Sequence, residues 1–131
     1  MHGGADHDLM ENATKTILVV EDEPAVRQLV RVALELQGHA VVDAGEPAEA
    51  LELAALIGRQ IHLLVTDVWL PRGNVRALVA GLVELGFDLP VLYVSGDGDP
   101  PPNLPGRRTL FLGKPFELEQ LEGAVSDLLE H

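Results

Sequence analysis

From Thr16 onward, short apolar runs alternate with longer segments whose apolar residues recur every three or four positions. The runs are Ile17-Leu18-Val19-Val20, Ala40-Val41-Val42, Ile61 to Val65, Val91-Leu92-Tyr93-Val94 and Leu110-Phe111-Leu112. They do not alternate polar with apolar, which is the pattern of parallel strands covered on both faces. Between them, Val26, Leu29, Val30, Ala33 and Leu34 form a helical stripe closed by Gly38. Ala48, Leu51, Ala54 and Ala55 form a second, opened by Pro47 at a first helical position. Val75, Leu78, Val79, Leu82 and Val83 form a third, closed by Gly86, and Leu118, Leu121, Ala124, Val125 and Leu128 form the last. The order βαβαβαβ, an irregular stretch, then βα predicts an α/β fold with right-handed crossovers. A doubly wound five-stranded parallel sheet of order 2-1-3-4-5 over residues 15–131 fits best, with residues 1–14 as a flexible polar tail. There is no internal repeat, linker or second domain.

Composition narrows the class. A chain of 131 residues, 47% apolar, is the size of one domain with one packed core. It has no cysteine, which excludes disulfides and thiolate metal sites. No apolar run approaches the roughly 20 residues that span a bilayer, and MHGGADHDLMENAT lacks the basic start and apolar core of a signal peptide. A cytoplasmic location is expected. The formal net charge of −12 repels nucleic acid and anionic membrane, and suits a cation or a basic protein partner. Most of the acidic residues need do no more than keep the domain soluble.

In such a sheet, ligands bind beyond the carboxyl ends of the strands, at the switch point between strands 1 and 3. Strand 1 runs into Glu21-Asp22-Glu23, strand 3 into Asp67, strand 4 into Ser95-Gly96 and strand 5 into Gly113-Lys114-Pro115. Any one of these is an ordinary loop residue, but together they gather at one edge. Two like charges about 4 Å apart repel by about 4 kcal/mol at an effective dielectric near 20. Raised pKa values or a cation must compensate. All-oxygen ligands at a shallow site suit Mg²⁺. A divalent ion, the Lys114 ammonium and the Ser95 hydroxyl converging on Asp67 form a clamp for a phosphoryl group on that carboxylate.

These motifs closely resemble the receiver domain of two-component response regulators, whose fold is flavodoxin-like. The acidic pair stands in LVVEDEP, the phosphoacceptor in LLVTDVWLP, the hydroxyl in VLYVSG and the lysine in FLGKPF. The resemblance spans residues 15 to 130. It implies that Asp67 takes a phosphoryl group from a histidine kinase or histidine phosphotransfer protein, and that the chain is a phosphoacceptor rather than an enzyme. It also implies that Asp22 binds Mg²⁺ directly, Glu21 through water, and the Trp69 carbonyl completes the metal site. Ser95 and Lys114 would bind phosphoryl oxygens, with Ser95 and Phe111 as the switch pair. Kinase contact is implied at Pro24, Ala25, Pro115 and Phe116. Glu23 reads as a helix-start acid, Asp43 as a turn residue, and Gly96 as a turn or close backbone approach.

Three departures from the family pattern stand out. Val75 occupies a place where the family has glycine, and Gly73, two residues earlier, would supply the bend instead. The segment GDGDPPPNLPGRR, residues 96 to 108, lies where a fourth helix belongs but holds Pro100, Pro101, Pro102 and Pro105. Each interior proline costs a helix about 3 kcal/mol. That helix is expected to be lost or shortened to a polyproline-like loop, which serves either signalling or only as a lid. Trp69, two residues beyond Asp67, places an indole where it would exclude attacking water, so slow hydrolysis of the phosphorylated state is expected.

The chain ends one residue past the last predicted helix, so the expectation is a stand-alone receiver that signals by protein contact or drains a phosphorelay. A receiver cut from a larger hybrid kinase would read the same over most of its length. Three rival readings differ at particular residues. An aspartate-nucleophile phosphohydrolase wants a second carboxylate where Trp69 stands. A flavin-binding domain of similar topology wants a phosphate cradle where EDEPAV stands. A degenerate receiver signalling unphosphorylated would not need the acidic pair, acceptor and lysine.

Overall fold

Each apolar run becomes a strand and each stripe a helix in the computed structural model, which describes residues 15–57, 60–96 and 100–130. The strands are β1 (Thr16–Val20), β2 (Ala40–Ala44), β3 (Leu63–Asp67), β4 (Val91–Ser95) and β5 (Thr109–Gly113). The helices are α1 (Pro24–Leu36), α2 (Pro47–Ile57), α3 (Val75–Glu84) and α4 (Leu118–Leu129). The sheet is parallel throughout in the order β2-β1-β3-β4-β5, as the alternation predicts. The tail expected over residues 1–14 lies outside the described residues. No helix among the described residues is long and apolar enough to cross a membrane.

Alternate side chains of the strands feed two apolar layers. Leu18, Val20, Leu64, Val91 and Tyr93 meet α2 and α3 on one face. Ile17, Val19, Leu63, Val65, Leu92 and Val94 meet α1 and α4 on the other. β1, β3 and β4 are buried along their whole length, which explains why their sequences are continuous rather than alternating. Helix ends are set locally. Asn74 caps α3 by accepting the Ala77 N–H at 2.7 Å, and Gly38 and Gly86 leave α1 and α3 with φ of 95° and 98°. Gly73 has a φ of 122°, so it does supply the bend ahead of Val75.

No helix occupies residues 100–108, and residues 97–99 lie outside the described part. The prolines replace the helix with a strap that is tied down along its length. Arg76 on α3 donates to the carbonyls of Asn103 at 2.8 Å and Pro102 at 2.9 Å. The Tyr93 hydroxyl donates to the Pro105 carbonyl, and Leu104 packs against the α2–α3 layer. Gly106 comes so close to β4 that a Cβ there would sit 2.8 Å from Val91 Cγ2.

At the opposite edge of the sheet from Asp67, His39 precedes β2 and His62 precedes β3. Burial holds both imidazoles below their ordinary range, and the charge of Lys15 adds to this. The unfolded chain therefore binds protons more tightly at these sites. Their contribution is present above the ordinary value of 6.5 and is lost as pH falls below it. The melting temperature is expected to drop between about pH 7 and pH 5.5, and the paired substitution His39→Gln/His62→Asn to flatten that slope.

Candidate functional site

Strand register explains the site. Val20 lies opposite Thr66, so Glu21 and Asp67 follow at the same level. Asp67 lies opposite Val94, and Ser95 opposite Gly113, so Lys114 emerges at the same edge. The Lys114 N–H donates to the Ser95 carbonyl at 2.8 Å, and the Val68 N–H to the Val94 carbonyl at 3.0 Å, extending the ladders past the strand ends. A Cβ added at Gly96 would stand 3.6 Å from Lys114 Cβ, an ordinary contact, so this glycine is not demanded by the lysine.

Glu21, Asp22 and Asp67 each offer a carboxylate oxygen within 4.8 Å of the others. Glu21 and Asp67 are buried, at 4% and 7% exposure, while Asp22 is open to solvent. Lys114 Nζ donates to Glu21 Oε1 at 2.8 Å and to Asp67 Oδ2 at 3.1 Å. Burial, and the nearby Asp67 charge, raise the Glu21 carboxyl above its ordinary value against the pull of Lys114. Burial draws the Lys114 ammonium down, but its bonds to Glu21 and Asp67 outweigh this and raise it. Three carboxylates against one ammonium leave excess negative charge in a half-buried corner. Hard oxygen donors with one side open to water fit Mg²⁺.

The other predicted residues fall into three groups. Ser95 is buried at the end of β4, beside Lys114. Trp69 follows Asp67 in the bend after β3 and is 55% exposed, lining an open cavity of about 330 Å³ with Val68, Leu70, Val75, Pro101 and Leu104. Phe111 pairs in register with Tyr93 and is half-buried against the α2–α3 layer. Pro24 and Ala25 are exposed at the start of α1. Pro115, joined to Lys114 by a cis peptide, is exposed, and Phe116 packs against the α1–α4 layer. Glu23 is the N-cap of α1 without a side-chain cap bond, and its N–H donates to Glu21 Oε2 at 3.1 Å.

Asp43 departs from its expected role as a turn residue. It lies inside β2 and pairs with Arg27, Nε to Oδ2 at 3.2 Å, and with Arg31. Arg27 Nη1 also donates to the Glu21 carbonyl at 2.7 Å. The sequence carries a faint signal of this, since Arg27 and Arg31 lie one helical turn apart and share a face of α1.

The model of the response regulator receiver domain matches residues 17–126, and the chain belongs to that family. It is 35% identical over 122 residues to the sensor kinase CckA of Brucella abortus, covering 91% of this chain and 13% of that protein. It is 34% identical over 116 residues to the response regulator MprA of Mycobacterium leprae, covering 86% of this chain and 50% of that protein. The chain thus spans half or less of these curated relatives. Among solved structures, the receiver domain of the hybrid histidine kinase CckA superposes with a TM-score of 0.75 at 31% identity, covering 87% of this chain and 98% of that one. The chemotaxis protein CheY4 of Vibrio cholerae gives 0.78 at 26% identity, covering 88% and 99%.

Proposed function

We propose that Asp67 accepts a phosphoryl group from the phosphohistidine of a histidine kinase or histidine phosphotransfer protein, and that the chain then signals by protein contact. The observation that carries this reading is the Lys114 ammonium bonded to both Glu21 and Asp67, in a corner with one more carboxylate, Asp22. An Asp67 oxygen would form the new P–O bond as the P–N bond breaks, the electron pair staying on the imidazole nitrogen, which takes up a proton. Asp22, Asp67, the Trp69 carbonyl and, through water, Glu21 would hold Mg²⁺, which when bound supplies charge neutralisation for the transferred oxygens. Lys114 and the Ser95 hydroxyl would meet those oxygens, aimed in advance by the strand ends. Phe111 beside Tyr93 would follow the movement of Ser95.

The partner surface is supported by α1. Ala25, Leu29, Val32 and Leu36 are exposed and recur at intervals of four, three and four residues, a seam against which helices pack. Pro24 and Ala25 stand at its end nearest Asp22, with Pro115 and Phe116 on the adjoining loop. That a similar domain occurs within a sensor kinase favours a phosphohistidine donor.

The half-exposed indole of Trp69 would shield the acyl phosphate from water. Trp69→Ala is expected to shorten the phosphoryl lifetime, measured by loss of label after the donor is removed, and an unchanged lifetime would refute the shielding role. The function itself is tested by incubating the chain with phosphoramidate and Mg²⁺ and following intact mass. Gain of one phosphoryl group that maps to Asp67 is expected. No gain, or gain at another residue, would refute the reading.

A further inference from the structure

Three short segments meet at the edge of the sheet beyond β1 and β2: the turn Glu21-Asp22-Glu23, the first turns of α1, and the end of β2 with Gly45. The turn that presents the acidic pair is anchored by its backbone. The Glu21 N–H donates to the Ala44 carbonyl at 3.0 Å, continuing the β1–β2 ladder by one bond. The Glu21 carbonyl accepts from Arg27 Nη1 at 2.7 Å. The guanidinium is in turn fixed by Asp43 on β2, at 3.2 Å. Arg31 holds Asp43 from the next turn of α1. Gly45 leaves room for this arrangement, because a Cβ there would stand 2.9 Å from Arg27 Nη1.

The bond goes to the carbonyl of Glu21 and not to its carboxylate, which is occupied by Lys114 and the Glu23 N–H. Arg27 therefore fixes the direction in which the turn leaves β1. A rigid, planar donor locked by a carboxylate is suited to that task. The N-cap of α1, Glu23, makes no side-chain cap bond of its own.

We propose that Arg27, locked by Asp43, is a positioning residue that fixes the Glu21–Asp22 turn through the Glu21 carbonyl and so sets the affinity of the acidic corner for Mg²⁺. This rests on the metal-assisted phosphoacceptor reading above. It predicts a sign opposite to that of simple electrostatics. Removing a cation near a metal site tightens metal binding if the cation acts by its charge alone, whereas loosening the ligands weakens it.

The test compares Arg27→Ala, Asp43→Asn and Gly45→Ala with the wild-type chain. Gly45→Ala changes no charge and touches no acidic ligand. Gly45 does not have a positive φ, so alanine suits its backbone, and its methyl group would push the guanidinium aside. Mg²⁺ is titrated against Trp69 fluorescence, thermal melting is recorded in parallel, and exchange of the Glu23 amide is followed by NMR without metal. All three variants are expected to weaken Mg²⁺ binding by about tenfold, the scale at which outer partners tune metal sites. The Glu23 amide is expected to exchange faster in each. Lower melting temperatures with unchanged Mg²⁺ affinity and unchanged Glu23 exchange would reduce Arg27 to a packing role and overturn the proposal. Tighter binding in Arg27→Ala would overturn it in favour of bare charge. No Mg²⁺ response in the wild type would remove the metal reading, and Glu23 exchange would then decide the positioning role alone.

Discussion

Asp67→Asn is expected to abolish phosphoryl uptake from both phosphohistidine and small phosphoramidate donors, with no loss of folding stability. The amide keeps the size and shape of the carboxylate but lacks the charged oxygen that forms the P–O bond. Uptake should fall to background and not to an intermediate level. Stability should move the other way, or not at all. In the native chain Asp67 stands buried among two other carboxylates. Like charges at about 4 Å oppose one another by about 4 kcal/mol at an effective dielectric near 20. Asparagine relieves part of that and leaves Lys114 its bond to Glu21. Thermal melting in a chelator should therefore place the variant at or above the wild type. A large drop would mean that Asp67 is structural.

Lys114→Ala is expected to have the second largest effect, in two opposed directions. The ammonium bonds both Glu21 and Asp67, and its loss leaves two buried carboxylates without that partner. An unpartnered buried group costs about 1–3 kcal/mol. Partial exposure of the lysine places the expected loss toward the low end. The lysine also competes with a divalent cation for the same oxygens, so Mg²⁺ should bind Lys114→Ala more tightly and restore some of its stability. Phosphoryl uptake should nevertheless slow by about a hundredfold, the scale of losing one fixed donor to a developing negative charge. Melting with and without Mg²⁺, set beside uptake kinetics, separates the two effects. Weaker Mg²⁺ binding in this variant would contradict the competition.

Much of this is legible in the sequence because the decisive residues are tied to strand ends. A buried parallel strand reads as a continuous apolar run, and the first charge after it marks the edge where ligands gather. Asp67 after Leu63-Leu64-Val65-Thr66, and Glu21-Asp22 after Ile17 to Val20, follow this rule. Prolines between Ser95 and Thr109 likewise foretold the missing helix, because the backbone restriction is local. The residues that escaped are those whose meaning depends on a distant partner. Asp43 reads as a turn acid, since the only hint of its partners is that Arg27 and Arg31 share a face of α1, far from it in sequence. Arg76 likewise carries no local signal in the sequence, yet it ties down the strap that replaces the helix. The apolar run begins two residues ahead of β3. Ile61 and His62 extend the apolar run, but His62 accepts the Thr16 N–H with its ring nitrogen at 3.0 Å, ahead of the first ladder pair Ile17–Leu63.

The central claim, a metal-assisted phosphoacceptor at Asp67, is tested most directly through the one tryptophan of the chain. Trp69 fluorescence would be followed while Mg²⁺ is titrated and beryllofluoride, a phosphoryl mimic, is then added, in wild type and Asp67→Asn. A saturable Mg²⁺ response is expected, then a beryllofluoride response that Asp67→Asn lacks. A wild-type chain silent to both ligands, by fluorescence and by NMR at Glu21, Asp22 and Lys114, would contradict it and leave a receiver fold that no longer takes a phosphoryl group.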